Sequence, residues 1–319
     1  MRLTVLPIPG VGPEDVLVHD LGPHTGSLVV GVDDGSLLRI TPDGRRATRV
    51  ASTGGRPLGL EWLPDGRVLV CDSTRGLLAV DLASGAVEPL VSTLGGRAMR
   101  FCNNAAVAAD GTVWFTDSSL HHGREQWEEE MAQDTRTGRL LRRDPDGRVD
   151  VVLDDLSFAN GVVVDPGGAW ITVNETGAAR IRRHHLSGDR AGTTDVLVDG
   201  LPGYPDNASL GTDGLVWVAL ASPVVPLLAV IHRLPPVLRR ASTRAPAALR
   251  PSPRRSVRVQ AYDGATGTLV HDLDATPQAV GDRAFHFVTG VREHHGRVWL
   301  GSLEEPAVAV LDGTRGTGN

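Results

Sequence analysis

The chain has no lysine: all 32 residues counted as Lys or Arg are arginine. Schiff-base catalysis and a lysine general base are therefore excluded from its own side chains. Cysteine is nearly as scarce. Cys71 and Cys102 are too few and too far apart in the sequence for a disulfide framework or a thiolate metal site, and they read as buried, inert thiols. A net charge of −6 gives no footprint of a nucleic-acid binder, so the expected partner is a small-molecule substrate. The opening MRLTVLPIPG lacks a signal-type apolar region, being broken by Pro7 and Pro9, and a cytoplasmic location is the expectation. The longest apolar run, residues 215–231, contains Pro223 and Pro226; its first half reads as a strand, and a membrane span is not expected. No GxSxG elbow, phosphate loop or nucleotide fingerprint occurs. Nothing in the composition bears on oligomeric state.

What is present is a repeat. Short Val-, Trp- and Leu-rich strands alternate with Asp-Gly and similar turns in six copies, the first of them degenerate. The turn glycines are Gly26, Gly66, Gly111, Gly168, Gly214 and Gly296, spaced 40 to 57 residues apart except for a last gap of 82. Four short strands per unit at this spacing is the pattern of a propeller blade. The fold expected is all-β: a single six-bladed β-propeller over residues 1–319.

The long gap is explained by a Pro/Arg-rich, lid-like insertion over 223–255, expected between the first and second strands of blade five. Eight arginines fall between Arg233 and Arg258, and 219–259 contains no acidic residue. Its prolines forbid one continuous helix, so it reads as a solvated lid beside the channel mouth; contact with an anionic membrane surface or substrate is the alternative.

Counting back from the turn glycines isolates a second pattern. Eight residues before Gly111, Gly168 and Gly214 lie Asn103, Asn160 and Asp206, whereas the other copies carry Val18, Leu58 and Val288. One such residue is ordinarily a turn-former. Three in register at strand entry, in consecutive blades, converge on the channel as a hard oxygen cluster suited to calcium, with magnesium or another divalent ion next. A second carboxylate is needed for charge balance; Glu14 in GPEDVLV is the candidate and Asp15 the alternative.

The strings FCNNAAVAADGTVWFTDSS, GRLLRRDPDG, FANGVVVDPGGAWITVNETGAARIRRHHLSGDRAGT and DGLPGYPDNASL resemble the strictosidine synthase-like branch of the gluconolactonase, senescence-marker and phosphotriesterase propeller superfamily. Within it the chain is most similar to the adipocyte plasma membrane-associated type, over nearly its whole length. The resemblance implies a metal held by Glu14 in GPED, Asn103 in CNNA, Asn160 in FANG and Asp206 in YPDN, with Asn104 standing where the family's hydrolases have aspartate. It also implies that Thr289 stands where plant strictosidine synthases have their essential glutamate. Threonine cannot act as that general acid and base, which argues against the synthase reaction; Glu293 reads as a surface turn residue.

The function expected is a calcium-dependent hydrolase of lactones or esters, in which the cation polarises the carbonyl and Asp206 acts as base or nucleophile. The alternatives are a non-hydrolytic cyclase or isomerase of a specialised metabolite, and a non-catalytic ligand-binding propeller. His121 and His122 read most simply as a loop pair, but His122 is retained with His286 as a candidate proton carrier near neutral pH. Asp117 and Ser118 are expected to hydrogen-bond between blades.

Overall fold

Six four-stranded antiparallel sheets succeed one another along the chain in the computed structural model, which describes all residues except 21, 245, 247–251, 282–283 and 314–319. Their innermost strands are Val16–Val18, Pro57–Trp62, Cys102–Val107, Ala159–Val164, Gly203–Leu210 and Val288–His294. This is the expected six-bladed propeller. Its ring is closed by a strand the repeat did not reveal: Arg2–Pro7 pairs antiparallel with Ala307–Asp312 as the outermost strand of blade six. The two ends of the described chain thereby complete one sheet.

The core lies between blades. Leu17, Val29 and Leu37 of blade one, for example, pack against Leu60, Val68 and Leu78 of blade two. Each such fully buried aliphatic side chain contributes about 1.5–3 kcal/mol relative to leaving it in water.

Blades two to six share one irregularity. The pairing of first and second strands slips between Pro57 and Leu60, Cys102 and Ala105, Ala159 and Val162, Pro205 and Ala208, and Val288 and Val291. Each slip is a β-bulge that re-aims a side chain away from the ladder. The bulged residues are Leu58, Asn103, Asn160, Asp206 and Thr289, each with its successor. In blade one Glu14 and Asp15 fall in the same place, just before the first paired residue Val16. The bulge, not the turn glycine, sets the equivalence, so Glu14 and Thr289 replace Val18 and Val288 in the register. Counting failed there because the first hairpin turn of blade one is longer than its counterparts and that of blade six is shorter.

The successors alternate around the ring: Asp15, Asn104 and Asn207 in odd blades, Gly59, Gly161 and Gly290 in even ones. A Cβ on Gly161 would stand 2.6 Å from the Asp206 carbonyl oxygen, and one on Gly290 the same distance from that of Glu14. Glycine lets successive bulges touch. The polar successors tie blades instead: Asp15 Oδ2 accepts from the Leu60 amide at 2.9 Å and Asn104 Oδ1 from the Val162 amide at 3.0 Å.

Two excursions cover one end of the channel. Helix α1 (Trp127–Gln133) lies between the second and third strands of blade three. Helices α2 (Pro226–His232) and α3 (Pro236–Ser242) lie between Val216–Pro223 and Arg258–Tyr262, the second and third strands of blade five, one strand later than expected. Part of this insertion, 245 and 247–251, is outside the described residues. Proline near each helix start sets a helical φ without removing an intrahelical bond, while Pro235 separates the two helices. His232 Nε2 donates to the Met131 carbonyl at 2.6 Å and Arg239 Nη1 to that of Asp134 at 3.1 Å, joining the excursions into one cap.

Candidate functional site

The five bulges and the matching strand entry of blade one bring Glu14, Leu58, Asn103, Asn160, Asp206 and Thr289 to the floor of one cavity beneath the cap. Its walls are largely apolar: Phe101, Phe158 and Tyr204 from the propeller rim pack with Met131 and Leu228 of the cap, Trp127 and Phe287 complete the enclosure, and Arg124, Glu128 and Glu129 add charge at the cap side. Apolar walls with a few convergent polar groups are the usual form of a small-molecule site.

The floor is built to leave oxygens without partners. Ser118 Oγ donates its hydrogen to the Ala159 carbonyl at 2.7 Å, so it can only accept from Asn103 Nδ2 at 2.8 Å. Likewise Thr176 Oγ1 donates to the Pro205 carbonyl at 2.7 Å and accepts from Asn160 Nδ2 at 3.1 Å. These hydroxyls fix both amides with nitrogen outward. Asn103 Oδ1 and Asn160 Oδ1 are consequently buried with no hydrogen-bond partner among the described residues. Buried polar atoms are nearly always paired, so two orphans in one site call for a ligand that bonds oxygen.

The carboxylates carry the same signature. Burial, then the charges of Asp206 and Asp15, push the Glu14 carboxyl well above its ordinary range, although Asn207 Nδ2 donates to Glu14 Oε2 at 3.0 Å. Asp206 is pushed up to about 7 by burial, against the 2.9 Å hydrogen bond that Asn160 Nδ2 gives its Oδ1. Two acids that resist ionising together are relieved by a positive charge between them. Arg56 tempers Glu14 only at a distance, since its Nε is held by Asp33 at 2.8 Å. No group of three or more His, Cys, Asp or Glu gathers among the described residues. The donors at this floor are two amide oxygens and two carboxylates, which fit a hard divalent cation of the calcium type.

The other residues singled out from the sequence lie elsewhere. His122 does not line the cavity; its Nδ1 meets Glu130 Oε2 at 2.7 Å. His286 is likewise off the cavity, clamped between Glu305 and Glu304. Thr289 is on the floor, and its hydroxyl is spent on the Glu14 carbonyl at 2.8 Å. Glu293 is buried rather than a surface residue, because Thr212 Oγ1 and the Asp213 and Gly296 amides donate to it. Ser118 bridges blades as expected, whereas Asp117 accepts from the Phe101 amide and from Arg139 within blade three; both cysteines are buried and free. Sequence reading missed the orienting roles of Ser118 and Thr176 and the donation from Asn207, since each is defined by contacts between blades.

A six-bladed propeller with an oxygen-lined, capped channel mouth is the class that fold and floor define. The SMP-30/Gluconolactonase/LRE-like region matches residues 25–225, and the chain belongs to that family. It is 32% identical to the adipocyte plasma membrane-associated protein of Salmo salar over 329 residues, covering 95% of this chain and 76% of that one. It is 30% identical to the protein strictosidine synthase-like 6 of Arabidopsis thaliana, covering 95% and 80%. Among solved structures, a gluconolactonase from Xanthomonas campestris superposes with a TM-score of 0.69 at 17% identity, over 98% of this chain and 89% of that one. The calcium-binding protein regucalcin of Agrobacterium tumefaciens does so at 0.64 and 16%, over 96% and 90%. These likenesses in structure carry the fold.

The relatives overturn one expectation. Those in salmon, rat, mouse and human are all named as plasma membrane-associated, so the cytoplasmic location drawn from the N-terminal residues is withdrawn. Among the described residues no helix is long and apolar enough to cross a membrane.

Proposed function

We propose that this protein is a divalent-cation-dependent hydrolase of lactones or esters, with calcium the natural cation. The observation that carries the reading is the pair of orphaned amide oxygens, Asn103 Oδ1 and Asn160 Oδ1, on a floor shared with two carboxylates that resist ionisation. Glu14, Asn103, Asn160 and Asp206 would hold the cation. When bound there, it supplies Lewis-acid polarisation of a carbonyl oxygen. The gluconolactonase and calcium-binding likenesses, and membership of the family, support both halves of the proposal.

The chain's own side chains supply the rest. Asp206 is the base that takes a proton from the attacking water; Asn160 holds one of its oxygens, and Asn174 Nδ2 holds its backbone carbonyl at 2.6 Å. Phe101, Trp127, Phe158 and Phe287 exclude bulk water and receive the apolar part of the substrate. The aromatic part of these walls suits the alkyl or aryl group of a lactone or ester.

The test is a screen of lactones and aryl esters with and without chelator, beside calorimetric titration of calcium into chelated protein. Chelation should abolish turnover and calcium restore it. Asp206→Asn should lower turnover by about 10²-fold or more and weaken calcium binding with it. An Asp206→Asn variant with full activity would sink the assignment. A wild type that binds calcium at this floor yet turns over none of the panel would favour the ligand-binding alternative.

A further inference from the structure

The cap has an outer face that the cavity does not use. Helix α2 turns Leu228 and Ile231 inward and leaves Leu227 and Val230 outside, 47% and 54% exposed. Helix α3 buries none of its residues, and Val237 and Leu238 are 79% and 50% exposed. Four of the eleven exposed large hydrophobics of the described chain thus fall within residues 227–238. Interleaved with them are exposed Arg233, Arg240 and Arg244, followed by Arg254 and Arg255. Elsewhere arginines are commonly ion-paired, as Arg136, Arg180 and Arg258 are. These five form no ion pair with a described residue, and residues 214–262 contain no acid that could supply one locally. This basic face belongs to a protein whose net charge is −6.

We propose that the outer face of α2 and α3 is a docking surface for an anionic lipid bilayer, with the four aliphatic side chains entering the interface and the arginines meeting lipid headgroups. An exposed apolar patch rimmed by one sign of charge is the pattern of interfacial, non-spanning attachment. Two seven-residue helices are too short to span and long enough to lie in the interface. The charge is what selects lipid over a second copy of this chain: two such faces brought together would oppose arginine to arginine. The same segment lends Val225, Leu228, Ser242 and Thr243 to the cavity wall, so docking would set the cavity beside the lipid. The inference is independent of whether the floor hydrolyses anything.

Co-sedimentation of the full chain with vesicles tests it. Wild type should sediment with phosphatidylcholine vesicles containing phosphatidylserine, should not do so with phosphatidylcholine alone, and should be released by salt. Arg233→Glu/Arg240→Glu/Arg244→Glu should weaken binding by roughly a hundredfold, since each arginine near such a surface is worth about fivefold. Val237→Ser/Leu238→Ser should weaken it by roughly tenfold. Both sets lie on exposed positions, so melting temperature and calcium affinity should match wild type. Failure of wild type to bind serine-containing vesicles, or equal binding by the arginine variant, overturns the proposal. Concentration-dependent self-association without lipid that is lost in the Val237→Ser/Leu238→Ser variant overturns it too, and assigns the face to a second copy.

Discussion

The two ends of the channel are lined by the two ends of the same six inner strands, yet they treat buried polar groups in opposite ways. At the uncapped end each charge is closed locally. Arg292 is held by Glu61 at 2.9 Å and the Leu60 carbonyl at 3.0 Å, Glu293 accepts three hydrogen bonds, and His294 meets Asp20 at 3.2 Å. At the capped end three amide oxygens, those of Asn103, Asn160 and Asn207, have no partner among the described residues, and two carboxyls are pushed toward neutrality by burial. Folding alone satisfies the first end and leaves oxygens open at the second. The contrast separates polar groups closed by the fold from those it leaves open, and burial by itself does not distinguish them.

The comparison breaks most visibly if the hydroxyls that orient the amides are removed. Ser118→Ala frees the Asn103 amide to rotate and should lower calcium affinity about 10- to 100-fold, read by calorimetry; Thr176→Val should do the same for Asn160. A smaller effect is expected from pH. The folded Asp206 carboxyl, at about 7, lies above its ordinary 3.8, so its contribution to stability is full below 3.8 and is lost as pH rises through 7. Glu14 shifts in the same direction. Chelated protein should therefore melt at a higher temperature at pH 5 than at pH 8, and calcium should erase or reverse that difference. Smallest at the capped end is the effect of Glu293→Gln, which disturbs only the opposite mouth. It should cost about 1 kcal/mol in denaturant unfolding and leave calcium affinity unchanged. A calcium defect in Glu293→Gln would show that the two mouths are coupled.

Much of this was legible without coordinates because blades repeat. Strand entry and turn recur in each unit, so Asn103, Asn160 and Asp206 could be found by counting. The count slipped where hairpins differ in length, which is why Glu14 emerged only from charge balance and family resemblance, and Thr289 from family resemblance alone. His122 and His286 had the right chemistry and near-channel positions in sequence, but acidic neighbours at Glu130, Glu304 and Glu305 engage them off the cavity. Glu293 read as a surface residue because its partners Thr212 and Asp213 belong to another blade.

The sequence by itself determined the six-fold repeat, its glycine turns and the oxygen-bearing side chains at three of the floor positions, since each depends on residue type within a few positions of chain. Only the tertiary structure decided that Glu14 and Asp206 share one cavity floor, that the amides present oxygen rather than nitrogen, and that helices from two blades form one cap with a bare basic face. Those outcomes depend on closing the ring through Arg2–Pro7 and Ala307–Asp312 and on hydrogen bonds between blades, which no local pattern encodes.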